Sequence, residues 1–260
     1  MKNIKILFGI FLILTAFTFT SCENEPIDSQ INLDNGGNNG GNNGGNNGGN
    51  GGTSSGDYWP TALNNQWVFK QDGVVQPPMK MISVNSINNY TYYTFDSMFG
   101  MSSGGTGADV VTRLRKNGGE YYIKVEGFTF DTGLGITGTI TGYEMIILKD
   151  NINVGQTWSG TFSQTTTFTG MPSITQETAY SGIVLEKDAS ANVNGTNYTN
   201  VIKVKVTQNV EMMGTPAGNV VTEYWFSKNI GPIKAVTVSN DGSGTPPETI
   251  TNELNSYIVN

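Results

Sequence analysis

Ser102 lies in the one segment that looks like a nucleophile motif, because Gly100-Met101-Ser102-Ser103-Gly104 matches the pattern Gly-x-Ser-x-Gly. That pattern forms a nucleophile elbow only where a strand precedes it, a helix follows it and a histidine acts as the base. The chain contains no histidine, and no lysine stands three residues after Ser102 as an alternative base. We therefore interpret this segment as a flexible loop and not as a catalytic centre.

Paired carboxylates are the remaining route to catalysis. Glycosidases place two carboxyl groups on either side of a sugar linkage, one as the acid and the other as base or nucleophile. Five glutamates fall in or near predicted strands and could face each other across a cleft: Glu120, Glu126, Glu144, Glu177 and Glu223. The alternative, which we favour, is that they are surface charges of strands, and we expect no catalytic residues and no enzyme.

Metal sites are also disfavoured by composition. Zinc sites need His or Cys ligands, and this chain has no His and a single Cys. Calcium loops need alternating oxygen ligands, and no stretch of the sequence repeats that spacing. The segment from Asn240 to Gly244 fits a hairpin loop better. We expect neither a metal nor a cofactor.

Cys22 is the residue with the most predictable chemistry. Lys2 and Lys5, an apolar run from Ile6 to Phe19 and small residues before Cys22 have the order of a signal peptide. The segment from Phe19 to Cys22 resembles the lipobox of bacterial lipoproteins, with Phe19 where Leu is usual. This resemblance implies cleavage after residue 21, a thioether from Cys22 to diacylglycerol and an acylated amine, and so a membrane anchor. The alternatives are an ordinary secretory peptide or a short membrane helix.

Acidic residues dominate the chain after Cys22. Glu23, Glu25 and Asp28 resemble the surface-export signal of Bacteroidetes-type lipoproteins, although they also fit a solvated linker. Without Lys2 and Lys5, 12 basic residues remain against 21 acidic residues, a formal charge of −9. Nucleic acids and anionic surfaces are therefore disfavoured as partners.

The segment from Asn35 to Gly52 contains only Asn and Gly. It has no apolar side chain to bury and high backbone freedom, so we predict a disordered tether over residues 22–56. A flexible chain from Glu23 to Gly56 would reach roughly 30 Å on average and about 110 Å when extended. Residues 1–21 form the predicted signal peptide and residues 57–260 the globular domain.

The globular part has the alternation of β-strands throughout. Ile202, Val204 and Val206 share one parity with Val210 and Met212, whereas lysines and polar residues occupy the other. We predict that this strand pairs with residues 220–226 after a loop at 214–219. The fold class is all-β, a single antiparallel, strongly curved sheet or half-barrel, with two similar halves as an open alternative.

A second hairpin is predicted around Asn117-Gly118, because Asn-Gly suits tight turns with positive φ. In its return strand the apolar residues change parity after Gly127. This change predicts one inserted residue and a β-bulge near Gly127.

Two segments look like copies of one motif. Leu63-Asn64-Asn65-Gln66-Trp67 aligns with Val154-Gly155-Gln156-Thr157-Trp158. Asn64 and Gly155 both tolerate a left-handed conformation, so we predict a turn that leads into a Trp-containing strand at each site. Internal duplication and reuse of one turn are both open.

These motifs carry a wider resemblance. Tyr58-Trp59-Pro60 through Phe69, the Trp158 segment, residues 195–204 and residues 224–234 are similar to a family of uncharacterised Bacteroidetes-type lipoproteins. The resemblance covers most of the globular part and implies an all-β, half-barrel fold of the kind seen in periplasmic lipoprotein carriers. It implies no activity.

Four tryptophans and one serine are candidates for ligand contact or modification. Trp59, Trp67, Trp158 and Trp225 could form a sugar-stacking platform, although core packing is the commoner role of tryptophans in strands. Asp96-Ser97-Met98 resembles the O-glycosylation motif of Bacteroidetes, with Ser97 as the acceptor. The methionines could line a lipid cavity or fill gaps in the core.

We therefore expect an outer-membrane lipoprotein, facing the cell surface or alternatively the periplasm. Its expected role is non-catalytic binding of a glycan, a lipid or a protein in the concavity of the sheet. An adhesive or structural role without a small ligand is the main alternative, and a glycosidase is the third. The sequence gives no indication of oligomeric state.

Overall fold

The computed structural model describes residues 53–98, 110–131 and 136–260. Cys22, the acidic residues after it, the Asn/Gly segment and Ser102 lie outside these ranges. Within them all regular structure is β-strand, so the all-β prediction is confirmed. No helix of the length and apolarity needed to cross a membrane occurs in the described ranges.

Within the described ranges fifteen strands make up the sheet, and nine of them belong to the first part of the chain. These are β1 (Gln66–Gln71), β2 (Val74–Val75), β3 (Met79–Ile87), β4 (Tyr90–Phe95), β5 (Thr112–Asn117), β6 (Glu120–Val125), β7 (Phe128–Asp131), β8 (Thr137–Ile140) and β9 (Tyr143–Lys149). The longer strands of the second part are β10 (Thr157–Phe168), β11 (Ile174–Val193), β12 (Thr196–Met212), β13 (Thr215–Ser227), β14 (Gly231–Asn240) and β15 (Glu248–Ile258).

Every pairing is antiparallel, and the strands form one sheet in the order β7-β8-β10-β11-β12-β13-β14-β15-β1-β3-β4-β5-β6-β9, with β2 beside β1. The sheet curls so far that the free edge of β9 meets the inner face of β10 and β11. There the carbonyl of Ile146 accepts a hydrogen bond from Trp158 Nε1 (3.1 Å), and its N–H donates to the Tyr180 hydroxyl (3.4 Å). The predicted single, curved antiparallel sheet is therefore confirmed.

Two glycines allow these aromatic rings to lie flat on the sheet. A Cβ on Gly182 would lie 2.1 Å from the Trp158 ring, and a Cβ on Gly160 would lie 2.5 Å from the Tyr180 hydroxyl. Each ring thus covers a glycine of the neighbouring strand, where any larger residue would collide with it.

The hairpin of β6–β7 and β8–β9 changes sheet partners halfway along its length. Val125 pairs with Tyr143, and Phe128 pairs with Ile140. Two residues separate these pairs on each strand of the hairpin, so the register between the strands is unchanged. The predicted bulge near Gly127 is therefore wrong, because both arms bend together and no residue is inserted. Gly127 and Gly142 permit this close approach, since a Cβ on Gly142 would lie 2.3 Å from the Val125 carbonyl oxygen.

Two predicted hairpins are confirmed, with their turns moved. The β5–β6 turn is centred on Gly118 and Gly119 (φ 57° and 90°), one residue later than predicted. The β12–β13 turn consists of Met213 and Gly214 (φ 53° and 77°). The predicted loop at 214–219 is therefore wrong, because β13 starts at Thr215 and accommodates its irregularity as a bulge beside Val210 and Glu211.

The core lies between the first and second parts of the sheet. Trp59 is fully buried and contacts Phe95 and Phe226, with ring centroids 5.8 Å away in both cases. Trp67 packs against the same Phe95 at 6.1 Å. Trp59, before β1, and Trp67, within β1, thus form a central aromatic cluster that holds the curled sheet together.

The chain is fastened where it enters the domain. Fully buried Asp150 accepts hydrogen bonds from Ser54 Oγ (2.6 Å), the Ser55 N–H (3.1 Å) and the Tyr121 hydroxyl (3.1 Å). Lys228 Nζ donates to the Ser55 carbonyl at 2.9 Å. Folded contacts therefore begin at Ser54, slightly before the predicted domain start at residue 57.

Candidate functional site

The four candidate tryptophans do not form a common exposed face. Trp59 and Trp67 are 0% exposed and Trp158 is 6% exposed, all with their rings in the core. Half-buried Trp225 lies on the outer face, with Lys203 Nζ 4.4 Å and Lys234 Nζ 5.1 Å from its ring centroid. Its two lysine neighbours and its bond to Glu223 Oε1 (2.6 Å) already occupy the surroundings that a sugar would need.

Four of the five candidate glutamates are engaged by other side chains. Glu144 receives two bonds from Arg115, at 3.0 and 2.8 Å, and a third from the Tyr92 hydroxyl at 3.0 Å. Glu120 pairs with Lys149 (2.5 Å) and Glu126 with Arg113 (2.9 Å). Glu223 accepts from Trp225, so these four serve as partners within the outer surface.

The charges of two of these glutamates are stabilised. Burial acts to raise the pKa of Glu120, but hydrogen bonds from Lys149 and Tyr122 outweigh it and hold the pKa below its usual value. Burial also acts to raise the pKa of Glu126, but hydrogen bonds from Lys124 and Arg113 outweigh it and lower the pKa. A glycosidase acid needs the reverse shift, so this arrangement does not suit that role.

Glu177 is the fifth glutamate, and it lies beside a shallow groove of about 210 Å³ on the outer face. It pairs directly with Glu211 across β11 and β12, and directly opposed residues have Cβ atoms about 5 Å apart. Both are exposed, and they project side by side from one face. The chain has a carboxylate pair here that sequence reasoning missed, because Glu211 was assigned only to a solvated strand face.

Ser97 directly follows β4. It is half-buried, and its hydroxyl donates to the Pro78 carbonyl at 3.4 Å. The flanking Asp96 is exposed, whereas Met98 is fully buried. The serine of the predicted modification motif is therefore only partly accessible, and one flank of the motif belongs to the core.

The methionines of the described ranges do not line a common cavity. Met79, Met81, Met98 and Met145 are buried in the aromatic core. Met213, at the β12–β13 turn, is 89% exposed, and Met171 is exposed at the β10–β11 turn. Gap filling in the core is the role that the structure shows for the buried members.

The inner face of β12–β15 carries a different set of side chains, which sequence reasoning missed. Residues directly opposed on neighbouring strands share a face, and two such rows run across these strands. We name this surface the inner polar patch, formed by Gln208, Val220, Thr222, Thr237, Ser239 and Ile250. Thr222 is buried and the others are half-buried, so the patch is accessible beside a sealed core.

The row towards the core continues the apolar interior. Val204 pairs with Tyr224, and Val206 with Thr222, so the inner face changes from aliphatic to polar as it approaches the open end. Thr222 and Thr237 have hydroxyl oxygens 3.1 Å apart. These hydroxyls and the Gln208 amide place neutral donors and acceptors on one surface.

Tyr224 borders the inner polar patch, Tyr143 lies close enough to Tyr224 to interact with it, and both remain protonated. Burial, with a smaller contribution from Tyr224, raises the pKa of Tyr143 to about 12. Burial also raises the pKa of Tyr224, against the opposing effect of a hydrogen bond from Thr222. The Tyr143 ring stacks on Phe162 with centroids 4.4 Å apart, which fixes its orientation.

Metal chemistry has no cluster to support it within the described ranges, where no group of three or more His, Cys, Asp or Glu residues comes together. The 240–244 segment joins β14 to β15 as a loop, as predicted, and Asp241 is bonded to Ser243 and Thr245 within it. The six residues of the inner polar patch offer neutral hydrogen bonding and apolar contact.

Two solved structures are similar to this chain at low identity. A protein of Parabacteroides distasonis described as a lipoprotein gives a TM-score of 0.46 at 12% identity, over 80% of this chain and 99% of that chain. An exported protein of Bacteroides fragilis with a YmcC-like fold gives 0.40 at 10% identity, over 78% of this chain and 99% of that chain. No protein-family model matches the sequence, and the curated proteins contain no match.

Proposed function

We propose that this protein is a lipid-anchored, non-catalytic binding module of the cell envelope whose ligand contacts the inner polar patch. One observation carries the proposal. The inner face is sealed by aromatic and aliphatic side chains around Trp59, but on β12–β15 it becomes half-exposed and polar. A surface of that kind on the inside of a curved sheet has the concavity and mixed lining of a ligand site.

A matched pair of substitutions tests the site. Ser239 points to the inner face and is half-buried, whereas its neighbour Asn240 is exposed on the outer face. We expect Ser239→Trp to fill the patch and abolish ligand binding by the full chain in mild detergent, in a screen of glycans, lipid vesicles and peptides. Asn240→Trp should bind as the parent does. Equal binding by both variants would contradict the proposal.

The anchor supports the envelope location. Cys22 supplies the thiol for acylation, and the contacts of Ser54 and Ser55 with Asp150 fix the point at which the tether enters the domain. Cys22→Ala should release the protein from the membrane fraction, and its retention there would exclude this anchor. Protease treatment of intact cells distinguishes the outer surface, which we favour, from the periplasmic face.

Glycoside hydrolysis is a second candidate, and the Glu177–Glu211 pair beside the outer groove is the observation in its favour. Both carboxylates are exposed to water on the outer face, so the pair lacks the enclosure that excludes solvent in most active sites. Loss of a sugar-releasing activity in Glu177→Gln, with Glu253→Gln as a surface control, would support the enzyme. An activity that is equal in both variants, or absent from the parent, would count against it.

A further inference from the structure

We infer that the ligand of the inner polar patch is a neutral, hydroxyl-rich oligosaccharide. This inference rests on the proposed function and adds the chemical class of the ligand. It depends on three properties of the described residues: the charge of the patch, its hydrogen-bonding groups and the aromatic side chain that borders it.

The patch offers no counter-charge to an acidic ligand. Its six residues are uncharged, and the lysines of the same strands, Lys203, Lys205 and Lys234, belong to the opposite face by strand alternation. Glu248 continues the inner-face row of Ser239, and its carboxylate would repel an acidic ligand further. Burying a charge without a partner is costly, so phosphorylated or uronate ligands would be rejected.

The hydrogen-bonding groups are of the kinds that bind sugar hydroxyls. Thr222 and Thr237 form a hydroxyl pair at 3.1 Å, and each oxygen retains lone pairs for a further bond. Gln208 adds an amide, which both donates and accepts. Neighbouring hydroxyls on a sugar ring also act as both donor and acceptor, so they can bond to this row without a change in protonation.

Gln176 is a further buried polar group of the inner face, four residues along β11 from Tyr180, which pairs with Gln208 of the patch. It lies on the inner face of β11 between Gln164 and Met212, and only 8% of the residue is exposed. Its Oε1 atom has no hydrogen-bond partner among the described residues. A buried acceptor without a donor costs about 1–3 kcal/mol, and a hydroxyl of an oligosaccharide that extends about 13 Å from the patch along β11 would satisfy it.

The lining is too polar for an acyl chain and contains apolar contacts suited to a sugar ring. Val220 and Ile250 alternate with the polar members of the patch, and Tyr224, two residues from Thr222 on the same face of β13, borders it. Each sugar ring has apolar C–H faces and polar edges. A surface that alternates aliphatic, aromatic and hydroxyl groups matches both.

The test measures binding of the full chain to neutral oligosaccharides of glucose, xylose and mannose, and to galacturonate oligomers as acidic probes. Thr237→Val and Gln208→Leu remove hydrogen-bonding groups while largely preserving size. Each should weaken neutral-oligosaccharide binding by about fivefold or more, the effect expected for one lost hydrogen bond. Thr207→Val, on the outer face next to Gln208, is the matched control and should bind as the parent does.

The outcomes separate this inference from the function on which it rests. Binding of lipid vesicles or peptides that Ser239→Trp abolishes, without neutral-oligosaccharide binding, would overturn the sugar and leave the binding module in place. Preferred binding of the acidic probe, or neutral binding unchanged in both Thr237→Val and Gln208→Leu, would also overturn it. Thermal unfolding of each variant shows whether a loss of binding comes from a loss of fold.

Discussion

Asn64 and Gly155 hold the same left-handed backbone conformation at equivalent turns, with φ of 68° and 82°. The N–H of Asn64 donates to the Met81 carbonyl at 3.0 Å, and that of Gly155 donates to the Val184 carbonyl at 2.8 Å. In each case the N–H of the following residue, Asn65 or Gln156, donates to the carbonyl three positions earlier at 3.1 Å. The two sequence motifs are therefore one structural motif.

The equivalence extends beyond these turns. The strand that supplies the acceptor carbonyl for each motif, β3 or β11, is joined to the next strand by a two-residue turn with positive φ, at Asn88-Asn89 and at Asn194-Gly195. On the outer face, the Arg115 guanidinium lies over the Tyr122 ring at 3.6 Å, as Lys234 lies over Trp225 at 5.1 Å.

Gly155 tests the conformational requirement of the motif. A Cβ at this position meets no atom within 4 Å, so the cost of a substitution is conformational. Gly155→Ala should lower the free energy of unfolding by about 1–2 kcal/mol, because alanine is disfavoured at positive φ. Gly155→Asn, which copies Asn64, should cost less than half as much in urea titrations. An equal cost for both variants would contradict the shared left-handed requirement.

Gly182 tests a steric requirement. Because an added Cβ would lie 2.1 Å from the Trp158 ring, Gly182→Ala should destabilise the protein by about 1–3 kcal/mol and shift the tryptophan fluorescence. Ser181→Ala, on the exposed face of the same strand, should have little effect. A reduced penalty in the Trp158→Leu background would identify the ring as the cause.

Strand alternation allowed much of this fold to be predicted from sequence. Val204, Val206 and Val210 occupy the inner face as their parity required. The turn that follows could not be placed, because Met213 takes the left-handed position that sequence rules assign to Gly or Asn. The bend at Gly127 was also misread, since a parity change in one strand does not reveal whether its partner bends with it.

The position of Thr222 in β13 is the sequence signal for the inner polar patch. Thr222 shares parity with Val220, Tyr224 and Phe226, so a hydroxyl on the core-facing side of β13 could have been recognised. Its pairing with Thr237 could not, because the register between β13 and β14 is set by a bulge at Trp225 and Phe226. The buried tryptophans could not be assigned from sequence, since residue type alone does not distinguish an exposed stacking face from a side chain packed in the core.

Arg115 should be sensitive to a conservative change. Its guanidinium makes two bonds with Glu144 and lies 3.6 Å from the Tyr122 ring centroid and 4.7 Å from that of Tyr90. A lysine cannot reproduce the planar double contact, so Arg115→Lys should cost about 1–3 kcal/mol. A double-mutant cycle with Glu144→Gln should give a coupling free energy of about 1 kcal/mol or more, and additive losses would exclude the pair as the source.

Asp150 should control the fastening of the tether. Asp150→Ala removes the acceptor for Ser54, Ser55 and Tyr121, so residues 54–57 should exchange amide hydrogens faster and be cleaved more readily by proteases. Glu177→Ala, an exposed change on β11 where φ is not positive, is the control. Unchanged exchange at residues 54–57 in the Asp150 variant would contradict the assignment.

Stability should fall at both ends of the pH range for different reasons. Burial, with hydrogen bonding to Glu120, raises the pKa of Tyr122 to about 12, and burial raises that of Tyr143 to about 12. Tyrosine in the unfolded chain ionises near pH 10, so the folded state binds more protons between about pH 10 and 12. The stabilisation is complete below about pH 10 and is lost as the pH rises through this window.

Glu120 and Glu126 produce the opposite dependence. Their lowered pKa values give stability that is present above the unfolded value near 4.3 and is lost as the pH falls through the folded values.

Tyr143→Phe separates the two dependences. It should weaken the alkaline decline in urea titrations, measured together with tyrosinate absorbance, and leave the acid decline unchanged. An alkaline decline of undiminished slope in Tyr143→Phe would show that this ring does not contribute, and a changed acid limb would indicate a general loss of packing instead.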